Sequence, residues 1–373
     1  MDLTLFFTWG VSLGAWDDAG MLEREVAVYG KLVGKGAAVS FVTYGAGGET
    51  GHAGAIPDIR VLSNRWRLPL KLYARLIPWL HAQDLRRTDV VKSNQVAGAE
   101  IALAAARRFG KKFIARCGYL PSEFAMHAHG EGSKEVTKAR TLERRVFTAA
   151  DLVVVTTEAM RRTVIDDYGL DGKLVRVIPN YVDTDLFRPA QEPPAGKRIC
   201  FIGRLAEQKN PFALVKALEG LDVELVIIGD GHLRRPLEDE ARRRGVAATF
   251  LGNLPHAELA GILNGSLMFV LPSHYEGHPK ALLEAMSCGL PVIGADVPGI
   301  REVVSHMDNG YLCDGTPESI RRAVTTLLGD PALCGRLGNE ARKFVVENCS
   351  LDRIVKEELV LIEGLSGGPV HVS

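Results

Sequence analysis

The feature that most limits what this chain can fold into is a repeated alternation of short apolar runs with longer segments of helical character. In the first half the runs are residues 3–8, 37–44, 59–63, 89–93, 112–116, 152–156 and 174–178; in the second they are 198–203, 223–229, 248–252, 267–271 and 291–295. Runs that are apolar throughout, rather than at every second position, imply strands covered on both faces, as in parallel sheets with helices between the strands. The series stops at "PNYVDTDLFRPAQEPPAGK" (179–197), which holds four prolines and no helical periodicity. Proline fixes φ and lacks an N–H, so this stretch reads as an ordered linker. A complete series then restarts at Arg198, which argues against one long inserted loop. The expected fold class is α/β, with two doubly wound Rossmann-like domains over 1–178 and 198–350. Helical segments follow at about 316–329, 331–347 and 351–365, and residues 351–373 are expected to pack back on the first domain.

At 373 residues the chain is long enough for two cores without a metal or disulfide staple. Lys+Arg and Asp+Glu are 45 each, so no overall charge favours nucleic acid as a partner. The six cysteines form no C-x-x-C pair and read as thiols of a reducing compartment. The start, "MDLTLFFTWGVSLG", has no basic n-region, and no run of 18 apolar residues occurs, so a cytoplasmic location is expected.

In parallel sheets of this kind, ligands bind beyond the carboxyl ends of the strands, at helix N-termini. Two such edges brought face to face would make a cleft. The most informative edge is "SHYEGHPKALLEAMSCGLPVIG" (273–294), where Glu276 stands in a loop and Glu284 in a run otherwise almost free of charge. Pro279 suits the first position of a helix. The N–H groups that follow, including those of Lys280 and Ala281, would make an anion site, and Gly277 allows close backbone approach. Gly289 reads as the C-cap, with Pro291 preventing continuation. A buried carboxylate needs hydrogen bonds. A vicinal diol such as a ribose would satisfy Glu284, and so would an arginine or a backbone N–H in a purely structural role.

Three more loops follow strands in the same half. "FIGRLAEQKN" (201–210) ends a strand at Gly203 and offers Arg204 and Lys209, two cations able to neutralise a diphosphate. A solvated basic loop is the plainer reading of the pair alone. "IIGDGHLRRPLE" (227–238) sets Gly229 and Gly231 around Asp230, and "VPGIREVV" (297–304) puts Gly299 and Ile300 at another helix start.

In this order, the four loops resemble the C-terminal nucleotide-sugar domain of the GT-B fold, and more narrowly the retaining family 4 glycosyltransferases. The resemblance is strongest over 198–313 and extends to "VIPNYVDTDLFRP" (177–189); its most specific element is the E-x(7)-E motif from Glu276 to Glu284. It implies that Glu284 binds the donor ribose and Glu276 contacts the transferred sugar. Backbone N–H groups after Gly277 would hold phosphate and sugar, with Arg204 and Lys209 on the leaving diphosphate. Base contacts would fall at Leu251, Gly252, Asn253 and Leu254. His278 departs from the family, where an apolar residue is usual, and bears on sugar choice.

The first half resembles the family less closely. Residues 19–45 look like its first glycine loop, helix and second strand, with Gly20 near the donor phosphates. Many members place a histidine after the strand that corresponds to 112–116; here "RCGYLPSEFAMHAHG" offers Arg116 and Tyr119, then His127 and His129. Ser93, Asn94 and Gln95 stand at another strand end. Their side chains suit sugar hydroxyls and equally suit capping of the next helix.

Weaker signals remain. "YGAGGETG" (44–51) hints at a dinucleotide loop, but "HAGAIPDIR" after it does not look helical, so a mobile loop is favoured. The segment 64–87 carries six Lys/Arg and one Asp, with Trp66, Tyr73 and Trp79 among Leu and Ile. It reads either as a plain surface helix or as a peripheral membrane contact. Histidines 127, 129, 274, 278 and 306 fall in no metal motif, so neither a metal nor another cofactor is expected. The chain thus reads as a retaining glycosyltransferase, using a nucleotide-diphosphate sugar and a glycan or lipid-linked acceptor. Alternatives are an epimerase of the same fold and a non-catalytic nucleotide-sugar-binding protein.

Overall fold

The computed structural model describes residues 1–47, 49–52, 58–191 and 196–367. They divide into two compact units: unit 1 is 1–179 together with the chain from 354 onward, and unit 2 is 180–353.

Among the described residues unit 1 has seven strands: β1 (Asp2–Phe6), β2 (Ala38–Val42), β3 (Ile59–Leu62), β4 (Val90–Ser93), β5 (Lys112–Cys117), β6 (Leu152–Val155) and β7 (Val175–Val177). They form one sheet in the order β3-β2-β1-β4-β5-β6-β7. Its pairings are parallel, with Leu5 between Phe41 and Lys92. Strands β4 and β6 are buried at every position, the mark of a sheet covered on both faces. The helices between the strands are α1 (Leu13–Asp18), α2 (Leu22–Gly34), α3 (Leu70–Leu80), α4 (Ala82–Arg87), α5 (Ala99–Phe109), α6 (Pro121–His129), α7 (Lys134–Phe147) and α8 (Glu158–Tyr168). Local chemistry sets their ends: Ser12 and Thr157 cap α1 and α8 by accepting from Ala15 N–H and Met160 N–H.

Unit 2 repeats the plan with β8 (Arg198–Ile202), β9 (Glu224–Ile228), β10 (Ala247–Gly252), β11 (Met268–Leu271), β12 (Val292–Ala295) and β13 (Tyr311–Cys313), ordered β10-β9-β8-β11-β12-β13. Its helices are α9 (Pro211–Leu218), α10 (Arg234–Arg243), α11 (His256–Asn264), α12 (Lys280–Ser287), α13 (Pro298–Arg301), α14 (Pro317–Gly329) and α15 (Pro331–Cys349). All twelve strands expected from the sequence are present within two residues of their expected ends. The edge strand β13 was not expected: it has three residues and pairs with β12 alone among the described strands. All six cysteines are thiols, and burial pushes those of Cys200 and Cys288 up to about 12.

Residues 180–191, part of the expected linker, belong to unit 2. Val182 donates to Cys349 O and accepts from Leu351 N–H, each at 2.8 Å. The Phe187 side chain is fully buried, and Arg342 donates to the carbonyls of Phe187 and Thr184 at 2.6 and 2.9 Å.

The last helix, α16 (Leu351–Ser366), belongs to unit 1 from Ile354. It buries Ile354, Val355 and Ile362, and sets Glu358 Oε1 2.5 Å from Lys92 Nζ on β4. The two side chains are 2% and 5% exposed. Desolvation lowers the lysine pKa, and the Glu358 charge opposes that shift. Glu358→Ala leaves a buried ammonium without its carboxylate and should destabilise unit 1 by about 3–5 kcal/mol. The paired replacement Lys92→Met/Glu358→Leu should recover most of that loss. Tryptophan fluorescence during urea unfolding checks this, since Trp9, Trp16, Trp66 and Trp79 are the chain's four tryptophans and all lie in unit 1.

Candidate functional site

In unit 2 the strand order reverses at β8, which has β9 on one side and β11 on the other. Loops leaving the carboxyl ends of β8 and β11 therefore emerge side by side. They are stitched together. Gln208 O accepts from His274 N–H at 2.8 Å, and Gln208 Nε2 donates to Tyr275 O at 3.0 Å. Asn210 Nδ2 donates to Pro272 O at 3.1 Å and Gly315 O at 2.9 Å. This frame brings the Lys209 ammonium onto the Glu276 carboxylate as an ion pair, with side-chain exposures of 18% and 7%. Arg204 is exposed beside it, its Nη2 3.4 Å from Gln208 Oε1.

The neighbouring loops meet this frame backbone to backbone. Gly203 N–H donates to Ile228 O at 2.9 Å, Leu205 N–H to Asp230 O at 2.9 Å and Gly229 N–H to Gly252 O at 2.8 Å. A Cβ on Gly229 would lie 2.2 Å from Gly203 O, and one on Gly299 would lie 2.2 Å from Gly277 O. Both glycines are thus demanded by the close approach of two chains. In the stretch 251–254, Leu251 and Asn253 are exposed, Leu254 is half-buried and Gly252 is buried.

Helix α12 starts one residue later than expected. Pro279 is its N-cap in an extended conformation (φ −76°, ψ 108°), and Lys280 is the first helical residue. The N–H groups of Lys280 and Ala281 still head the helix, where the dipole favours an anion. Lys280 Nζ lies 5.7 Å from the Tyr181 ring centroid. At the other end Gly289 stands one position beyond the C-cap Cys288. Its N–H bonds Met286 O and that of Leu290 bonds Ala285 O, a Schellman closure.

Glu284 is 1% exposed, and its Oε1 lies 2.8 Å from His256 Nε2 at the head of α11. The structural partner considered from sequence was an arginine or a backbone N–H; a histidine takes that place at Oε1. His256 stands 28 positions away and packs against the Phe187 ring at 4.9 Å. Only its place just after 251–254 could have marked it. His278 is buried: its Nδ1 accepts from Asn180 N–H at 3.2 Å, and its carbonyl accepts from Asn180 Nδ2 at 2.6 Å.

In unit 1 the equivalent reversal lies at β1. Asn94 N–H bonds Phe6 O at 2.8 Å and Asn94 Nδ2 bonds Thr8 Oγ1 at 3.3 Å. Ser93 Oγ accepts from Arg116 N–H at 3.2 Å, and Gln95 Oε1 from Gly118 N–H at 2.9 Å. These side chains tie strand ends together instead of capping α5, whose N-cap is Gly98. Arg116 Nη1 lies 3.5 Å from Asn94 O. Tyr119 packs on Phe124 at 4.6 Å, while His127 and His129 are exposed on α6. Gly20 (φ +65°) turns the chain from α1 into α2. In the segment 44–51, Glu49 is buried and accepts from Leu13 N–H and the Thr43 hydroxyl, in a 3-10 turn Glu49–His52. Gly48 and residues 53–57 lie outside the described residues. Among the described residues no three His, Cys, Asp or Glu side chains gather as a metal site, and no helix is long and apolar enough to cross a membrane.

Two family models match the chain in succession: "Glycosyltransferase Family 4" over residues 27–186 and "Glycosyl transferases group 1" over 183–344. The D-inositol 3-phosphate glycosyltransferase of Acidothermus cellulolyticus is 30% identical over 72% of this chain and 66% of its own length. The alpha-maltose-1-phosphate synthase of Mycobacterium tuberculosis is 30% identical over 58% and 64%. The chain thus spans just under two thirds of the length of the curated relatives it matches. Among solved structures, sucrose-phosphate synthase from Thermosynechococcus elongatus superposes with a TM-score of 0.82 at 19% identity, covering 98% of this chain and 99% of that one. Anabaena HepE in complex with UDP-glucose gives 0.77 at 18% identity, covering 98% and 100%. With the fold, the E-x(7)-E loop and both family models in agreement, the chain belongs to the family 4 glycosyltransferases of the GT-B fold.

Proposed function

We propose that the protein is a retaining glycosyltransferase that moves a sugar from a nucleotide-diphosphate sugar, with UDP as the base-bearing group, to a hydroxyl of a glycan or lipid-linked acceptor in cell-surface polysaccharide or glycolipid synthesis. The observation that carries the reading is the meeting of Lys209 with Glu276 beside the head of α12. An ammonium, a carboxylate and a helix N-terminus share the edge of the sheet at the carboxyl ends of β8 and β11, and Arg204 is within reach of the same loops. The UDP-glucose bound in the Anabaena structure of the same fold supports UDP as the nucleotide.

Departure of the diphosphate builds negative charge on its β-phosphate and positive charge on the sugar ring. Lys209, Arg204 and the N–H groups of Lys280 and Ala281 meet the first. The Glu276 carboxylate, held in the loop by Lys209, meets the second. Glu284 binds the ribose hydroxyls and Leu251–Leu254 flank the base; Gly203, Gly229 and Gly277 let the donor approach the backbone. Donor diphosphate charge is carried by these groups without a metal. Acceptor contacts fall to unit 1, from Asn94, Gln95, Arg116, Tyr119 and His127. His278, being tied to Asn180, bears on sugar choice through the shape of the loop it anchors.

A thermal-shift panel of nucleotide-diphosphate sugars tests the reading. A donor at a hundred times its Kd adds about 2.7 kcal/mol of apparent stability, and absence of any shift across the panel overturns the proposal. With the donor identified, Arg204→Ala should lower kcat by about 100-fold or more while the fold is kept, as for loss of one preorganised charge-stabilising donor. Glu284→Ala should act on binding, weakening the donor by about tenfold or more through loss of charged hydrogen bonds, with a smaller change in kcat. Steady-state kinetics with a product assay separate the two effects.

A further inference from the structure

We infer that His256 is a positioning residue for the donor ribose: its imidazole holds the Glu284 carboxylate in place to take the ribose hydroxyls. Preference for a ribonucleotide over a 2′-deoxyribonucleotide then depends on it. An ionised carboxylate can only accept, so His256 Nε2 carries the proton in its 2.8 Å bond to Glu284 Oε1. Both side chains are buried. The imidazole packs on the Phe187 ring, with centroids 4.9 Å apart and planes tilted by 50°. Phe187 is itself buried, and its carbonyl accepts from the Ser287 hydroxyl at 2.6 Å. Ser287 follows Glu284 by three positions on α12. The contacts therefore close a circuit, from Glu284 to His256 to Phe187 and back to the same helix. Arg342 Nη1 fixes the last link by donating to Phe187 O at 2.6 Å and Ser287 O at 2.8 Å. A glutamate ordered in this way loses little rotamer freedom when a ligand binds.

A purely structural pair explains this arrangement less well. Around Glu284, α12 buries Leu282, Leu283, Ala285 and Met286, and apolar residues of similar size in place of a buried charged pair are often neutral or stabilising. The place of the pair points to a ligand instead. Glu284 stands four residues, about 6 Å, along α12 from Lys280, whose N–H heads the helix. His256 opens α11 directly after Pro255, next to the stretch 251–254. The backbone assigned to the diphosphate and the backbone assigned to the base thus lead to Glu284 from two sides, and the ribose is the part of a nucleotide that joins those groups. A carboxylate offers about four lone-pair sites, so one bond from His256 leaves capacity for a diol. This role for His256 rests on the donor reading proposed above, and the test separates the two.

Isothermal titration calorimetry of the full chain with UDP, GDP and ADP, each beside its 2′-deoxy counterpart, tests the inference. For the nucleotide that binds, wild type should favour the ribose form by about tenfold, the worth of one hydrogen bond to a charged group. His256→Phe keeps a ring against Phe187 and removes the donor N–H. It should bring the ribose form to within about twofold of the 2′-deoxy form, whose own affinity stays at the wild-type level. His256→Gln reaches Glu284 with an amide N–H and should restore most of the preference. His256→Asn has the same amide on a shorter side chain and should not, which decides the matter if His256→Phe fails to fold. With a donor sugar identified, His256→Phe should raise its KM about tenfold and leave kcat within about twofold, as for a contact made equally in ground and transition states. Preference that survives in His256→Phe or His256→Asn, or equal weakening of both nucleotide forms, makes His256 a packing residue and overturns the inference while the donor reading stands. A wild type that binds ribose and 2′-deoxy forms alike overturns the ribose contact of Glu284 and this role with it. A wild type that binds none of the nucleotides overturns the donor reading itself, and the role of His256 falls with it.

Discussion

A strand buried on both faces can bond its peptide groups only to neighbouring strands, and in a parallel sheet each return must cross over through a helix. That constraint decides where this molecule can do chemistry. In each sheet the strand order reverses once, at β1 and at β8. Only there do two adjacent strands send their carboxyl-end loops to opposite sides. Lys209 and Glu276 stand 67 positions apart and meet because β8 and β11 are neighbours. The hydrogen bonds of Gln208, through backbone and side chain, and of the Asn210 side chain then hold both loops, so that a pair of long side chains gains a defined geometry.

The second charged pair has a different role. Lys92 sits at a ladder position between residues that must be buried, so its ammonium cannot reach water. Glu358 comes from 266 positions away to meet it. Such a pair contributes little net stability over apolar residues of the same size, but removing one member is costly. It therefore marks where α16 seats on the first sheet. The Lys209–Glu276 pair is less buried and stands in the loops beyond the carboxyl ends of β8 and β11, open to competition from an outside charge.

Much of this was legible in the chain. Twelve strands were visible because their runs are largely apolar and recur with helical segments between them, and the E-x(7)-E loop was visible because its glutamates flank a proline at a helix start. The misses have physical causes. The apolar run of strand β13 is only Tyr311–Cys313, bounded by Gly310 and Asp314 and shorter than any of the twelve expected runs, and its pairing with β12 comes only with assembly. Pro279 suits either N1 or the N-cap by composition, and its observed ψ of 108° places it outside the helix. His256 carries no signal of its own, since a histidine at a helix head is ordinary until Glu284 is found 2.8 Å away. The basic, tryptophan-bearing stretch 64–87 was visible, but the surface pocket that its helix α3 lines also needs Trp9, Glu100, Ile101, Ala104 and Arg108 from elsewhere in the chain.

The sequence by itself determined the class of fold and the chemistry on offer, because hydrophobic period, glycine spacing and proline position act locally along a chain. It determined that a carboxylate would stand in the loop after β11 and another inside α12. Tertiary structure alone decided what each charge faces. Lys209 faces Glu276, Glu284 faces His256, His278 accepts from Asn180 and Lys92 is closed over by Glu358. Those partners lie between 28 and 266 positions apart, and a charge buried among them is tolerable only when the whole sheet has brought its counterpart into place.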